Sequence, residues 1–281
     1  MEQIPLILLI FFLFGLRPFI YKPIAKKYPP AIAMIIDGIF AILVSIPIFI
    51  FSNDKFIWHP ALLLCIINGA CLSYQVKLFQ IVLKESTSAH QYILIIALGF
   101  AVIINKIFGE QLTNGQLLTV ILIALVAILF FIRVVSKLSS KAKFAWLGNL
   151  LLTVIVVTMP CFLLNYTNWI SIFLVNALAN FATDVYEFNK CRPELKEKNI
   201  KLSPLLLLVG LFASLGELVF MYGNPILGVT TVLVIKRATI PFVIFINNIF
   251  ISKNEDNKFD NILFSSLAAV LVFFYFLTSK Y

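Results

Sequence analysis

The sequence predicts an all-α polytopic membrane protein with ten transmembrane helices, arranged as two inverted five-helix repeats. Of the 281 residues, 61% are hydrophobic and only 12% are charged, a composition too apolar for one water-soluble core. Apolar stretches of about 20 residues, the length that crosses a bilayer, recur from one end of the chain to the other. In addition, the second half of the sequence matches the first half at one constant offset.

Each apolar stretch predicts one helix. The first stretch lacks the positive residues of a signal peptide, and no small-residue cleavage site follows before Arg17, so we expect it to remain as a helix. The four cysteines have neither paired nor metal-ligand spacing, so no metal site or cofactor is expected. The predicted helices span residues 4–21, 30–51, 60–83, 88–108, 115–132, 144–164, 169–187, 203–222, 226–250 and 262–278.

Basic residues are distributed unevenly between the two sides of the predicted bundle. The formal net charge is +9, but it is spread over loops, so no nucleic-acid partner is expected. Loops after the odd-numbered helices hold fifteen basic residues, whereas the other side holds only Lys55 and Lys280. The positive-inside rule therefore predicts a bacterial-type inner (plasma) membrane protein with both termini extracytoplasmic, and a basic side attracted to anionic lipids. The fifteen are Lys22, Lys26, Lys27, Lys84, Arg133, Lys137, Lys141, Lys143, Lys190, Arg192, Lys196, Lys198, Lys201, Lys253 and Lys258.

An internal repeat emerges when the sequence is compared with itself at an offset of 142 residues. Pro18 then matches Pro160, Gln75 matches Glu217, and INKIF at 104–108 matches INNIF at 246–250. The halves are residues 1–139 and 140–281. Because each half has an odd number of predicted helices, the two halves enter the membrane from opposite sides. Inverted repeats of this kind are typical of carriers whose site lies near the bilayer midplane and opens alternately to each side.

Two short motifs resemble those of the drug/metabolite transporter superfamily, which includes EamA-like ten-helix carriers. FGLRPFIYK at 14–22 resembles the end of that superfamily's first helix, and GEQLT at 109–113 resembles its turn between helices four and five. The ten-helix layout is also that of the superfamily, so the resemblance covers the whole chain. It implies a secondary transporter, not an enzyme.

A narrower resemblance concerns the triose-phosphate translocator branch of that superfamily. VIKRATI, with Lys236 and Arg237, is similar to the branch's Lys-Arg pair in the ninth helix, and His90 stands twenty residues before Glu110, as in the branch. The Glu-Pro pair of its fourth helix is replaced here by Ile96-Ala97. The resemblance implies that Lys236 and Arg237 hold a substrate phosphate.

The charges of Lys236 and Arg237 are themselves unusual, because they lie inside the apolar run VLVIKRATIPFVIF at 232–245. If the ninth helix starts at residue 226, Lys236 lies about 15 Å along it, near the bilayer midplane. Each such charge costs about 2.5 to 3.5 kcal/mol, so we expect the pair to face a cavity and bind an anion. The alternative is a structural ion pair with Glu217, and the two interpretations are compatible if that carboxylate yields to the substrate.

Helical periodicity adds further candidates for the substrate site. In the third helix Gln75 lies on one polar strip and Tyr74 and Lys77 on the adjoining one, and Gln75 should face its repeat mate Glu217. Two candidates keep alternatives. Arg17 is either a substrate contact or an interfacial anchor, and His90 is either a ligand or proton relay or an interfacial histidine. Outside this set, Asp37 could pair with Arg17 or Lys22, and Asn176, Asn180, Asp184 and Glu187 form a stripe on the seventh helix that suggests a gate or a helix contact.

These observations predict a secondary transporter that moves a small organic anion by alternating access and mainly by exchange. A phosphorylated anion is the first candidate substrate. One alternative is an exporter of an amino acid or other zwitterion. Alternatives of another class are a lipid-phosphate translocator and an intramembrane enzyme that uses Asp184, Glu187 and Glu217. A receptor or assembly subunit is a third class, but it would need neither the repeat nor the buried charges.

Overall fold

Ten α-helices and one 3-10 turn form the structure, a computed structural model that describes residues 3–197, 203–246 and 258–278. Within these residues, nine helices are long and apolar enough to cross a membrane. Large apolar side chains cover the outside of the bundle, such as Phe144, which is 78% exposed. The chain is therefore a helical membrane protein. The helices are α1 (Gln3–Lys27), α2 (Pro30–Phe51), α3 (Leu63–Glu85, after the turn Pro60–Leu62), α4 (Thr87–Ile107), α5 (Asn114–Val135), α6 (Ser140–Leu163), α7 (Trp169–Glu197), α8 (Leu205–Leu227), α9 (Val229–Ile246) and α10 (Lys258–Thr278).

Two helices continue beyond their predicted ends. Helix α1 ends at Lys27 rather than at residue 21, and α7 ends at Glu197 rather than at residue 187. Lysine, arginine and glutamate are good helix formers, so the helices continue where the apolar stretch stops. Several basic residues predicted in loops therefore lie on helical ends. Four others, Lys198, Lys201, Lys253 and Lys280, lie outside the described residues.

Helix α9 begins later than predicted, at Val229 rather than at residue 226. Helix α8 continues through Pro225 to Leu227, and Gly228 makes the reversal with a φ of +82°. A positive φ is available to glycine at little cost. Lys236 is therefore only about 10 Å from the start of α9, yet it remains in the middle part of that helix.

Helices of the first half pack mainly against helices of the second half. Helix α1 contacts α8 and α9, α2 contacts α7 and α8, α3 contacts α6 and α7, and α4 contacts α6 and α9. Helix α4 is the most buried of the nine membrane-spanning helices within the described residues, with 78% of its apolar segment buried. The centre of the bundle is therefore formed jointly by both halves.

A carboxylate from the first half caps helix α9 of the second half. Glu110, in the turn between α4 and α5, accepts hydrogen bonds from the backbone N–H of Thr230 at 2.7 Å and from its hydroxyl at 2.5 Å. The free N–H groups at a helix N-terminus favour such an acceptor. Burial raises the pKa of the Glu110 carboxyl, although the hydrogen bonds from Thr230 act in the opposite direction.

Glu110→Gln should change how thermal stability depends on pH. Because the folded protein binds this proton more tightly than the unfolded chain, the contribution of Glu110 to stability is complete below the ordinary glutamate pKa and is lost as pH rises through the raised value. Glutamine keeps an acceptor for Thr230 and does not ionise. The melting temperature of Glu110→Gln relative to that of the native protein should therefore rise as pH increases above the ordinary glutamate pKa of about 4.3. Parallel melting curves at every pH would contradict this.

Candidate functional site

A cavity near the middle of the bundle is lined by six of the eight side chains predicted for the substrate site. Counted with its opening to solvent, the cavity comprises about 670 Å³ of empty space. Helices α1, α3, α4, α8 and α9 contribute these side chains, so both halves form the site. The six are Arg17, Gln75, His90, Glu217, Lys236 and Arg237.

Glu217 lies between two of the cations. Its Oε1 is 3.5 Å from Nζ of Lys236 and 3.7 Å from Nη1 of Arg17. The structural ion pair considered for Lys236 is thus present, and it connects α1, α8 and α9. Both distances exceed the 2.7 to 2.9 Å typical of charge-assisted hydrogen bonds. The carboxylate is therefore held loosely by two cations rather than tightly by one.

Arg237 contributes a buried guanidinium to the same cavity. The residue is 7% exposed, and its Nε has no hydrogen-bond partner within the described residues, as is also true of Nε of Arg17. A buried donor without an acceptor costs roughly 1 to 3 kcal/mol. An anion in the cavity would supply the missing acceptor.

Aromatic rings position the two cations that contact Glu217. Nζ of Lys236 lies 3.9 Å from the ring centre of Phe14 and 4.7 Å from that of Phe220. The guanidinium of Arg17 lies 5.0 Å from the ring centre of Tyr21. Ring faces attract cations electrostatically, so these rings stabilise the charged side chains without neutralising them.

Arg17 and His90 are both enclosed by protein. Helix α1 continues for ten residues beyond Arg17, and the Arg17 side chain lines the cavity together with residues of α8 and α9. His90 is 5% exposed, its ring centre is 4.2 Å from that of Phe79, and its Nδ1 has no hydrogen-bond partner among the described residues. Both side chains therefore line the cavity, and the alternatives for Arg17 (substrate contact or anchor) and for His90 (ligand or interfacial histidine) remain predictions.

Gln75 lines the same cavity as Glu217, its predicted repeat mate. Its Nε2 donates a hydrogen bond of 2.7 Å to the hydroxyl of Thr153 on α6, and that hydroxyl in turn donates to Asn149. Neutral polar groups thus occupy the α3–α6 side, whereas the cations occupy the α1–α9 side.

Three cations and one carboxylate face this cavity. Arg17, Lys236 and Arg237 carry positive charges, and Glu217 carries the negative charge, an excess of two positive charges. Such an imbalance in a buried site is expensive unless a counter-charge is present. The arrangement therefore favours a small dianion.

Tyr74 and Lys77 do not line this cavity, contrary to the prediction. Both donate hydrogen bonds to the buried carboxylate of Glu187 on α7, at 3.1 Å from Tyr74 and 2.6 Å from Lys77. Successive helical residues diverge by about 100°, so these two turn toward α7 while Gln75 turns toward α6. The contact joins α3 to the stripe of polar residues on α7.

Lys77→Met should destabilise the protein, because it leaves Glu187 buried with only the neutral Tyr74 as a donor. Since Lys77 is partly exposed, we expect a loss of about 1 to 3 kcal/mol, which thermal unfolding would measure. Lys84→Met, at the exposed end of α3, is the matched control. The double variant Lys77→Met/Glu187→Gln should recover part of the loss. A Lys77→Met protein as stable as the control would contradict the assignment.

A second cavity of about 630 Å³, also counting its opening, adjoins the first. Arg17, Val76, Val156 and Glu217 line both cavities. The second cavity also contains Asp37, whose Oδ2 accepts a 2.5 Å hydrogen bond from Tyr21. Its remaining polar residues are Asn68, Asn176, Asn180, Asp184 and Ser214.

The sequence analysis did not identify several residues that line the first cavity. Phe14 precedes Pro18 by one helical turn, and Phe79 follows Gln75 by one turn. Their helical spacing from polar cavity residues was a usable signal, but phenylalanine is so frequent here that it carried little information. Gln91 and Thr239 gave no periodic signal.

Comparisons with known proteins give information on the fold of the chain but not on its chemistry. No protein-family model and no curated protein sequence matches the chain. A solved crystal structure of a protein is similar over 98% of this chain and 96% of its own, with a TM-score of 0.66 and 10% sequence identity. At this identity, the similarity shows a shared fold alone.

Proposed function

We propose that the chain is a secondary transporter that moves a small organic anion across a bacterial-type inner membrane by alternating access. A phosphorylated anion is the first candidate substrate. The observation that carries this proposal is the cavity charge. Lys236, Arg237 and Arg17 face one shared carboxylate, and two guanidinium Nε atoms have no partner among the described residues. A phosphate monoester matches this excess in charge and in the number of acceptor oxygens.

An inverted repeat is the second part of the proposal. If helix n corresponds to helix n+5, the contact of α3 with α6 corresponds to that of α8 with α1. Likewise, α3–α7 corresponds to α8–α2, and α4–α6 to α9–α1; all of these contacts are present. This correspondence supports membership in the drug/metabolite transporter superfamily. Residues 247–250 of the INNIF match lie outside the described residues.

Exchange is the expected mode of transport. An empty site that closes around its excess positive charge must desolvate it, so a bound anion should accelerate the reorientation in either direction. In this structure the Glu217 carboxylate lies 3.5 Å from Nζ of Lys236. Net flux would require Glu217 to move closer to Lys236 and Arg237 than this. Exchange should therefore be faster than net uptake.

Counterflow in proteoliposomes tests the function. Vesicles that contain the purified protein and internal glycerol 3-phosphate should accumulate labelled inorganic phosphate faster than vesicles loaded with buffer. Equal rates, together with no shift in melting temperature on addition of either compound, would contradict the proposal. Flipping of a labelled phospholipid in the same vesicles would favour a lipid-phosphate translocator.

Membrane orientation is a separate prediction, which rests on the fifteen-to-two distribution of basic residues. Both termini should be extracytoplasmic. A C-terminal alkaline phosphatase, which folds only outside the cytoplasm, should be active. The matched control is a β-galactosidase fusion at the same position, which should be inactive. The opposite pattern would reverse the orientation.

A further inference from the structure

The second cavity contains buried acceptors without partners. Asp184 is 1% exposed and neither of its carboxylate oxygens has a hydrogen-bond partner among the described residues. The acceptors Oδ1 of Asp37, Oδ1 of Asn68 and Oδ1 of Asn176 are also without partners there, as is the donor Nδ2 of Asn176, and all three residues are at most 5% exposed. Three different helices, α2, α3 and α7, contribute these groups, so the cluster is built by the tertiary fold.

The hydroxyl donors of the same region are already used. The hydroxyl of Ser73 donates to Asn180, and that of Ser214 donates to the backbone carbonyl of Asp37. Unpartnered carboxylates in a protein interior cost several kcal/mol unless a proton or a cation accompanies them. A ligand that brings N–H donors into the cavity would satisfy these acceptors. An ammonium group, with three N–H donors and no acceptor, fits this acceptor-rich wall.

The two cavities together contain equal numbers of basic and acidic side chains, which lie at different ends. Arg17, Lys236 and Arg237 are the basic groups, and Glu217, Asp37 and Asp184 are the carboxyl groups. Lys236 and Arg237 line only the first cavity, and Asp37 and Asp184 line only the second; Arg17 and Glu217 are shared. A ligand that extends across the shared residues therefore meets cations at one end and carboxylates at the other.

We propose that the second cavity binds the ammonium group of a zwitterionic substrate, whose anionic group is held by Lys236 and Arg237. The substrate class is a small phosphorylated amine. This inference rests on the proposed anion transport and identifies which organic anion the site prefers. Asp184 and Asp37 receive the ammonium, and Asn68 and Asn176 supply further acceptors.

Two probes of equal length separate this inference from the general anion site: 2-aminoethyl phosphate and 2-hydroxyethyl phosphate differ only in the terminal ammonium or hydroxyl. Titration of the purified full-length protein should give at least tenfold tighter binding of the amine, the ratio that 1.4 kcal/mol represents. Asp184→Asn should remove this preference and leave the affinity for the hydroxyl probe within about twofold. Asp54→Asn, the same change in an exposed loop, should preserve the preference.

Each other outcome has a defined meaning. Equal affinities of the native protein for the two probes would overturn the ammonium site while leaving the anion site intact. If sodium chloride, compared with choline chloride, tightens the hydroxyl probe in the native protein but not in Asp184→Asn, the site binds an inorganic cation and the proposal is overturned. If neither probe nor inorganic phosphate binds, the proposed transport fails, and the ammonium site fails with it. Asp37→Asn is the second variant, should Asp184→Asn not fold.

Discussion

Replacing Lys236 or Arg237 by glutamine is expected to weaken anion binding by about 10- to 150-fold, the equivalent of a charge-assisted hydrogen bond of roughly 1.5 to 3 kcal/mol. Each replacement removes one of the three positive charges that face the cavity. Expression should not fall, because the removal of a charge from the middle of α9 makes membrane insertion easier. Titration of purified protein with inorganic phosphate and counterflow in proteoliposomes would measure the two effects.

The matched control is Lys106→Gln, which makes the same chemical change at an exposed position in the last turn of α4. It should leave binding and counterflow unchanged. Glu217→Gln is informative in the opposite direction, because it increases the positive excess and should tighten anion binding while slowing net flux. If the Lys236 and Arg237 variants transport normally but unfold at a lower temperature, the pair serves only to hold Glu217.

Gly69→Ala, which adds one methyl group to α3, should destabilise the folded protein. A Cβ at this position would lie 2.7 Å from the carbonyl oxygen of Asn176 and 2.9 Å from the backbone nitrogen of Asn180. These are backbone atoms of α7, so the two helices must separate to admit the methyl group. Overpacking of this kind costs about 1 to 3 kcal/mol, and Gly69→Val should cost more. Thermal unfolding of the purified variants would measure the loss.

Gly148→Ala is the control for this prediction. Its Cβ would lie 2.8 Å from Cδ1 of Leu78, the end of a flexible side chain that can rotate away. Alanine also favours helix over glycine by up to about 1 kcal/mol, so this variant should be neutral or more stable. Equal melting temperatures for Gly69→Ala and Gly148→Ala would show that α3 and α7 do not pack as closely as described.

The sequence predicted the helices and the main cavity residues well, for a physical reason. The bilayer fixes the length of each apolar stretch, so all nine membrane-spanning helices of the described residues were predicted, and the ends of all but α1 and α7 were close to the observed ones. The energetic cost of charge in such a stretch singled out Lys236 and Arg237 without knowledge of their neighbours. The errors at the ends of α1 and α7 arose because helix propensity, not hydropathy, determines where a helix stops in water.

The sequence does not show which neighbouring helix packs against the polar face of a given helix. Tyr74, Gln75 and Lys77 lie within one turn of α3, and periodicity alone does not distinguish the side that meets α6 from the side that meets α7. Asp184 is a similar case. A Cβ at Gly38 would lie 2.6 Å from its Oδ2, so the position of this carboxylate depends on a close approach of α2 and α7. That approach arises only from tertiary packing.

The packing of α1 against α8 and α9 has a consequence for how the protein is made. A ribosome releases α1 into the membrane long before α8 and α9 have been synthesised. During that interval Arg17 has no Glu217 to contact, although the two lie 3.7 Å apart in the finished protein. The nascent chain must therefore hold this arginine without its Glu217 partner until α8 has been synthesised. Completion of the central cavity is thus one of the final steps of biogenesis, and truncated chains that lack α8 should be substrates for membrane quality control.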